Sequence, residues 1–468
     1  MQPESMAKAL RILSCMTHPT VTTGRLQKVS LGFGYLTVFF LGQAIPVLAV
    51  PHYQMTLGIN PSLLGALMAI PLLLASCFGI WFGHTSDRLP TRFGRRRPWM
   101  LLAALITAVS YGFLWMPPDN SGHLQLLLYF GALGLVFQLA SVVYSVSLNS
   151  LVYESSTNSA ERTRLMGFTT YFVKLGSLCY QWLYPLSALS LAGGIVLGVQ
   201  GVGWLVAVLI FFVMGLLPVI SWKEPLQNLT RSVARPPAFV QSLRAALDNQ
   251  AMVFVMTLAA LQMGGAAYVA TMDYYLLVYF VHGGDITQGA ISKGFLSTAY
   301  ALVSFLSVPL VVWLARRYGR LNALVIIYLI NTLGGVLKWF LFVPGAGLWI
   351  TADALLCGSV WSAMVILLPS MIADLAQHQG QRSQTRCAGM FASIHGWVLS
   401  ASAVVVLLLS GLTLSATGFD ATLGGQQPPS ALRLMRIILA GGTVLFSLMA
   451  LMLVRRWQAN CHNYQFNG

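Results

Sequence analysis

Twelve apolar stretches, each long enough to cross a lipid bilayer, dominate this chain: 31–53, 61–83, 99–117, 123–151, 165–190, 195–220, 251–280, 291–314, 321–343, 347–373, 386–415 and 431–454. A spanning helix needs about 20 apolar residues. The bilayer interior has no water to satisfy open backbone groups, so such stretches are expected to be helical throughout. Those that exceed the minimum are expected to tilt or to run past the hydrocarbon. The chain has 57% apolar and 8% charged residues and a mean hydropathy of +0.73, which excludes an ordinary soluble domain. An all-α, multi-pass integral membrane protein with twelve transmembrane helices is therefore expected. The start, MQPESMAKALRILSCM, lacks the apolar core and small-residue cleavage site of a signal peptide, so no removable leader is expected.

The charges orient the chain. With the N-terminus inside, 22 of the 27 Lys and Arg residues fall in inner segments. Lys293, Arg433 and Arg436 are assigned outside, and Lys174 and Lys338 fall within spans. This asymmetry predicts that both termini are cytoplasmic in a plasma (inner) membrane. The formal charge of +15 is spread over every second loop and needs no nucleic-acid partner. The six cysteines (Cys15, Cys77, Cys179, Cys357, Cys387, Cys461) show no metal-ligand spacing and read as free thiols.

Internal repetition divides the spans six and six. The first basic loop, GHTSDRLPTRFGRRRPW from Gly83 to Trp99, contains Asp87, Arg88, Gly94, Arg95 and Arg96. It is echoed half a chain later by WLARRYGRLNAL, with Arg316, Arg317, Gly319 and Arg320. After span 4 comes NSLVYE…ERTRLMGF, with Glu154, Arg162 and Arg164; after span 10 comes PSMIAD…QRSQTRCAGMF, with Asp374, Arg382 and Arg386. In each half an acid closes one helix and arginines open the next. Pairing of these acids with neighbouring basic loops would make a cytoplasmic gate. The expected organisation is a cytoplasmic segment 1–30, a six-helix bundle 31–220, a central loop 221–250, a second bundle 251–454 and a tail 455–468. The central loop carries Pro236-Pro237, which prevents a continuous helix, and a glycosylation pattern at Asn228 that a cytoplasmic position makes a chance match. Two pseudo-symmetric bundles of this kind are mostly transporters.

These residues also carry a family resemblance. Gly83-x-x-x-Asp87-Arg88 with Gly94-Arg95-Arg96 resembles the signature loop of the major facilitator superfamily. The longer SDR…RFGRRRPW, ERTRLMGF, SMIAD, R-x-x-GMF and LSATGFDATLGGQQP resemble its glycoside–pentoside–hexuronide:cation symporter branch, which includes melibiose permease and is related to the sucrose carriers. The resemblance runs from about Gly32 to Arg456. It implies the major facilitator fold, with a central site open alternately to each side and a sugar moving with Na⁺ or H⁺.

The departures bear on coupling. Where the family carries its span 2 carboxylates, this chain reads Ala75-Ser76-Cys77-Phe78-Gly79-Ile80. The family's span 4 acid falls at Ser145, and its span 11 lysine at Ser400. The acidic cluster after SMIAD is Gln377-His378-Gln379-Gly380. Hard cations favour carboxylate oxygens, so the family's Na⁺ site is expected to be absent. Uniport or H⁺ coupling remain.

Few charges stay inside the membrane. Lys174 lies deep in span 5, where a lysine is a functional candidate by default. It is four residues, and so one helical face, from Thr170, where the family places a sugar-contacting arginine. Snorkelling, or pairing with a buried carboxylate, is the alternative. Asp273 in span 7 serves either as a proton or sugar-hydroxyl site or as an interhelical hydrogen bond. Lys338 and Asp353 are expected to pair or to snorkel near the outer ends of their spans. Further substrate candidates are Gln43, Tyr144, Asn149, Gln262, Trp361, His395 and Trp397, since sugar sites combine aromatic faces with amides. Taken alone, each of these is more often packing or an interhelical bond than a ligand contact.

The chain has no Walker loop, nucleophile motif or metal-ligand cluster, so no enzyme activity, cofactor or metal is expected. Three readings stay open. The first is a monomeric carrier for a small-molecule sugar or glycoside. The second is a carrier for a lysolipid-like amphiphile. The third is a non-transporting assembly factor of the light-harvesting-complex type, which NPSLLGALMAIP in span 2 loosely resembles.

Overall fold

The computed structural model describes residues 25–86, 96–118, 122–155, 159–188, 195–221, 248–383, 388–420 and 423–460. These residues build twelve helical spans and no strand. In the first half these are α1 (Arg25–Thr56), α2 (Pro61–Ser86), α3 (Arg97–Leu114), α4 (His123–Ser155), α5 (Ser159–Cys179, a 3₁₀ turn Tyr180–Trp182, then Leu183–Ala188) and α6 (Ile195–Leu205, a π-helical stretch Val206–Met214, then Gly215–Ser221). In the second half they are α7 (Gln250–Val281), α8 (Ile286–Tyr318), α9 (Arg320–Leu341), α10 (Gly347–Ala352 as a 3₁₀ turn, then Asp353–Ser383), α11 (Ala388–Ala416) and α12 (Pro429–Asn460). Eleven are long and apolar enough to cross a membrane; α5, broken by its turn and carrying Arg162, Arg164 and Lys174, is the less apolar one. The expected all-α fold is thus observed.

Several helices extend past their apolar runs, because capping rather than hydropathy sets their ends. Asp285 accepts a hydrogen bond from the Gln288 backbone N–H (3.0 Å), so α8 begins at Ile286, five residues before the apolar run at 291. Asn249 likewise caps α7. The second basic loop shrinks to one residue: Gly319, at φ 81°, turns α8 directly into α9. Arg316 and Arg317 occupy the last turn of α8, where the helix dipole favours cations.

Each half has its own core. One packs residues between Leu31 and Val219, with Ala290 as its buried contribution from the second half. Its centre is aromatic, with Tyr53 against Phe130 (4.7 Å) and Tyr111 against Phe211 (5.0 Å). Another packs residues between Ala251 and Val454, and a third fills the end of the second half remote from the basic loops, admitting Met55. The internal repeat reappears in backbone detail. Both α1 and α7 finish, at that remote end, in π-helical turns, Val50–Thr56 and Leu276–Val281.

The halves touch along two seams. Helix α2 packs on α11, and α5 on α8. The hydrogen bonds between halves among the described residues run from mid-membrane to the remote end. They join Lys174 to Ser304 (3.1 Å), Trp182 to Thr298 (2.9 Å), Thr298 to the Leu178 carbonyl (3.5 Å), Tyr275 to Gln54 (2.7 Å) and Ser415 to Asn60 (3.2 Å).

Candidate functional site

A cavity of about 540 Å³ lies between the halves. The first half lines it with α1, α2 and α5, the second with residues from all of α7 to α12. Its remote floor includes Gln54 and Tyr275, joined across the halves. The walls mix rings (Phe39, Tyr180, Trp361) with amides (Gln43, Gln181, Asn331), the combination that suits a ligand with apolar faces and hydroxyl edges.

The charged groups cluster on the second half. Lys293 Nζ donates to Asp273 Oδ1 at 2.6 Å, joining α8 to α7. Lys338 on α9 donates to Asp353 Oδ2 on α10, and Tyr300 of α8 donates to the same oxygen at 2.6 Å. Lys338 also donates to the Tyr300 hydroxyl at 3.1 Å. Lys338 is buried and Asp353 fully so, which is tolerable only because each supplies the other's counter-charge. Lys174 reaches across from α5 to Ser304, whose hydroxyl lies 3.0 Å from that of Ser362; Ser307 lies 2.9 Å from the same group.

Of the sequence candidates, Gln43, Lys174, Gln262, Asp273 and Trp361 line the cavity. The Gln262 amide is already engaged, donating to the Val360 carbonyl (2.9 Å) and accepting from Tyr328 (2.6 Å). The other candidates do not line it. Tyr144 is fully buried in the first half and donates to the Gly215 carbonyl at 2.8 Å, while Asn149 accepts from Tyr35 at 2.8 Å. That packing takes up the α4 face expected to meet substrate. Thr170 is exposed and outside the lining, so its spacing from Lys174 does not bring both into one wall. His395 and Trp397 sit on the right helix at the wrong height: α11 reaches the cavity with Leu407, Ser410 and Gly411. Ten to twelve residues of helix separate them, about 15–18 Å at 1.5 Å per residue.

Lys293 is the main correction. It was expected outside, but it lies two turns into α8 and faces the cavity. A signal was present: Asp273 stands eight residues before the end of α7 and Lys293 seven after the start of α8. Antiparallel neighbours joined by a short loop bring such positions to one level.

Of the gate candidates, Asp87, Arg88, Gly94, Arg95 and Arg386 lie outside the described residues. Gly83 falls in α2, Glu154 in α4, and Arg162 and Arg164 in α5. Arg96 is buried ahead of α3, and Arg97 donates to the Val219 carbonyl at 2.7 Å. Arg320 pairs with Asp374 and also donates to the Ser370 carbonyl at 3.4 Å. Both partners belong to the second half, so this pair braces α9 against α10 and does not bridge the halves. Asp374→Asn should therefore lower stability only slightly, by about 0.2–1 kcal/mol for so exposed a pair. It should slow transport by more than that loss explains. Thermal unfolding beside initial uptake rates checks this; unchanged uptake would leave Arg320 and Asp374 as a local brace only.

Two helical halves around a polar, partly charged cavity define a multi-pass membrane carrier. The chain belongs to the MFS/sugar transport protein family, whose pattern matches residues 30–460, and within it to the glycoside–pentoside–hexuronide:cation branch that its motifs resemble. It is 23% identical to an uncharacterized symporter of Synechocystis sp. over 85% of this chain and 87% of that one. It is also 23% identical to the isoprimeverose transporter of Lactiplantibacillus pentosus, over 79% and 75%. Among solved structures, a bacterial homolog of the human lysosomal transporter Spinster, inward-facing and unoccupied, shares the fold. The TM-score is 0.68 at 16% identity, covering 93% of this chain and 97% of that one. The nucleoside transporter NupG follows at a TM-score of 0.64 and 13% identity, covering 91% and 99%. The family and these relatives are transporters, not enzymes.

Proposed function

We propose that this protein carries a sugar or glycoside across the membrane by alternating access, through this single cavity and without a Na⁺ site. The observation that carries the reading is the cavity itself, with wall residues from both halves and a floor closed by Gln54–Tyr275 at the end remote from the basic loops. A site walled by two halves that meet at one end is accessible from the other, and rocking the halves exchanges the open side. The charge asymmetry makes the basic end cytoplasmic. The isoprimeverose transporter among the relatives supports a sugar as substrate.

The Na⁺ inference rests on the residues at the family's charged positions. Ala75 is fully buried. A Cβ on Gly79 would come within 2.5 Å of the Val142 side chain, so α2 and α4 are in direct contact there. The Ser145 hydroxyl donates to the Ser141 carbonyl of its own helix at 2.8 Å. No carboxylate stands at these positions to hold a hard cation. If a proton couples transport, Asp273 carries it, being the acid in the cavity wall.

Proteoliposomes loaded with and without unlabelled sugar test this. Uptake of radiolabelled isoprimeverose or glucose should be unchanged when choline replaces Na⁺. Asp273→Asn should lose accumulation driven by a pH gradient while keeping exchange of sugar for sugar. A several-fold fall on Na⁺ removal overturns the coupling reading. No movement of any sugar overturns the sugar-transport reading, in favour of an amphiphile carrier or an assembly factor.

A further inference from the structure

Of the three basic residues that the charge pattern assigned to the outer side, Lys293 has its aspartate. The other two, Arg433 and Arg436, stand one turn apart on α12 and make no ion pair among the described residues. Helices α9 and α12 contain no Asp or Glu down to the basic-loop end, and α7 contains only Asp273, which Lys293 holds. Arg436 lies seven residues after Pro429, about 10 Å into the span at 1.5 Å per residue. The ends of α7 and α9 stand at the same remote level, with Phe280 and Trp339 in their last turns.

A guanidinium within a span is costly, and this one is held in place. Its central carbon lies 4.3 Å from the centre of the Trp339 ring and 4.8 Å from that of Phe280, so α9 and α7 both cover it. One Nη2 hydrogen goes to the Trp339 carbonyl at 2.7 Å, at a helix end whose open carbonyls favour a cation. That bond braces α12 against α9 and uses one of five N–H donors. Nε is enclosed without an acceptor, which leaves three donors on the terminal nitrogens. The rings attract the charge without neutralising it. They also fix the plane of the fork, the geometry in which a guanidinium receives two oxygens of a phosphate. The neighbouring surface is apolar and open, with Phe340, Leu434 and Ile437 all exposed, and Arg433 is exposed as well.

We propose that Arg436, assisted by Arg433, binds the phosphate of an anionic phospholipid in the leaflet remote from the basic loops. Charge selects the occupant. Two arginines without a carboxylate favour a lipid of net negative charge, such as phosphatidylglycerol, over one whose phosphate is balanced by choline. The setting selects a lipid over a soluble phosphate, because the exposed apolar side chains beside the arginines give an acyl chain a surface to lie on. The site stands apart from the carried substrate: Phe280, Trp339, Arg433 and Arg436 do not line the central cavity, and all belong to the second half. The lipid therefore fastens the outer ends of α7, α9 and α12 together, whatever the cavity carries.

Photo-crosslinking reads this site apart from the many basic residues at the other end. The purified full-length protein is given dioleoyl phosphatidylglycerol or dioleoyl phosphatidylcholine, each with a diazirine near the head of one acyl chain. After illumination, the label on Phe340 and Ile437 is measured by peptide mapping. Phosphatidylglycerol should label them about 30-fold more than phosphatidylcholine, the preference that two arginines near a membrane surface confer. Arg433 makes no bond that folding needs, so Arg433→Gln should fold and cut the preference to about fivefold. Arg436→Gln should bring it lower still, and Arg436→Lys, which keeps the charge without the planar fork, should fall between. Equal labelling by the two lipids overturns the inference. So does a preference unchanged in whichever of these variants fold. Loss of the label in excess inorganic phosphate overturns the lipid assignment in favour of a free-anion site. No sugar enters the experiment, so its failure leaves the carrier reading untouched.

Discussion

Replacing Gly65 or Gly411 by valine should abolish transport while leaving each half folded. These glycines bring α2 and α11 into backbone contact across the two halves at the end remote from the basic loops. A Cβ on Gly65 would lie 2.6 Å from the Leu407 carbonyl oxygen, and one on Gly411 2.6 Å from that of Pro61. Both obstacles are backbone, which cannot swing aside as a long side chain does. Relief requires the helices to part, and that undoes the closure that Gln54 and Tyr275 complete a little further along. Overpacking of this kind costs about 1–3 kcal/mol. Spent on one state of a two-state carrier, that shifts the populations roughly 5- to 150-fold. The measurement is labelling of a cysteine placed at Gln54 by a membrane-impermeant maleimide added on the remote side, beside sugar uptake. Labelling should rise as uptake falls. A Gly65→Val carrier with normal uptake and a protected Gln54→Cys would show that the seam does not govern closure.

The largest loss of stability is expected from Asp353→Ala. Asp353 is fully buried and accepts from both Lys338 and Tyr300. Removing it leaves the Lys338 ammonium buried beside an aromatic hydroxyl and a thiol, with no anion of its own. Breaking a buried pair on one side typically costs about 3–5 kcal/mol, whereas replacing both partners by apolar groups is often neutral. The double variant Lys338→Met/Asp353→Ala should therefore recover most of the thermal midpoint lost by the single one. Thermal unfolding of the natural protein, both single variants and the double one forms the cycle. A double variant no more stable than Asp353→Ala alone would mean the loss comes from packing and not from the stranded charge.

Much of the fold could be read from the chain, for a reason specific to membranes. A bilayer is a uniform apolar slab, so length and hydropathy alone decide which segments span it. The twelve spans, the six-and-six division and the family motifs all follow from local composition and order. The helix ends were harder to read: α8 starts five residues before its apolar run because the Asp285 carboxylate caps it. Lys293, at the very start of that run and counted with the outer charges, therefore lies two turns into the helix and in the cavity wall.

The site itself is a matter of tertiary structure. Tyr144, Asn149 and His395 stand on helices that the sequence reading assigned to the cavity lining, yet none of them lines it. Rotation turns Tyr144 and Asn149 into the packing of the first half, and height leaves His395 about 18 Å of helix below the wall. Lys174 is the counterpart. Its depth was plain in the sequence, but its missing carboxylate emerged only when Asp273 and Asp353 proved to be taken by other lysines. Sequence determines which charges enter the membrane, because each must be tolerated by the apolar slab one helix at a time. Only the tertiary structure decides which of them neutralise one another, because that depends on the rotation and level of helices far apart along the chain.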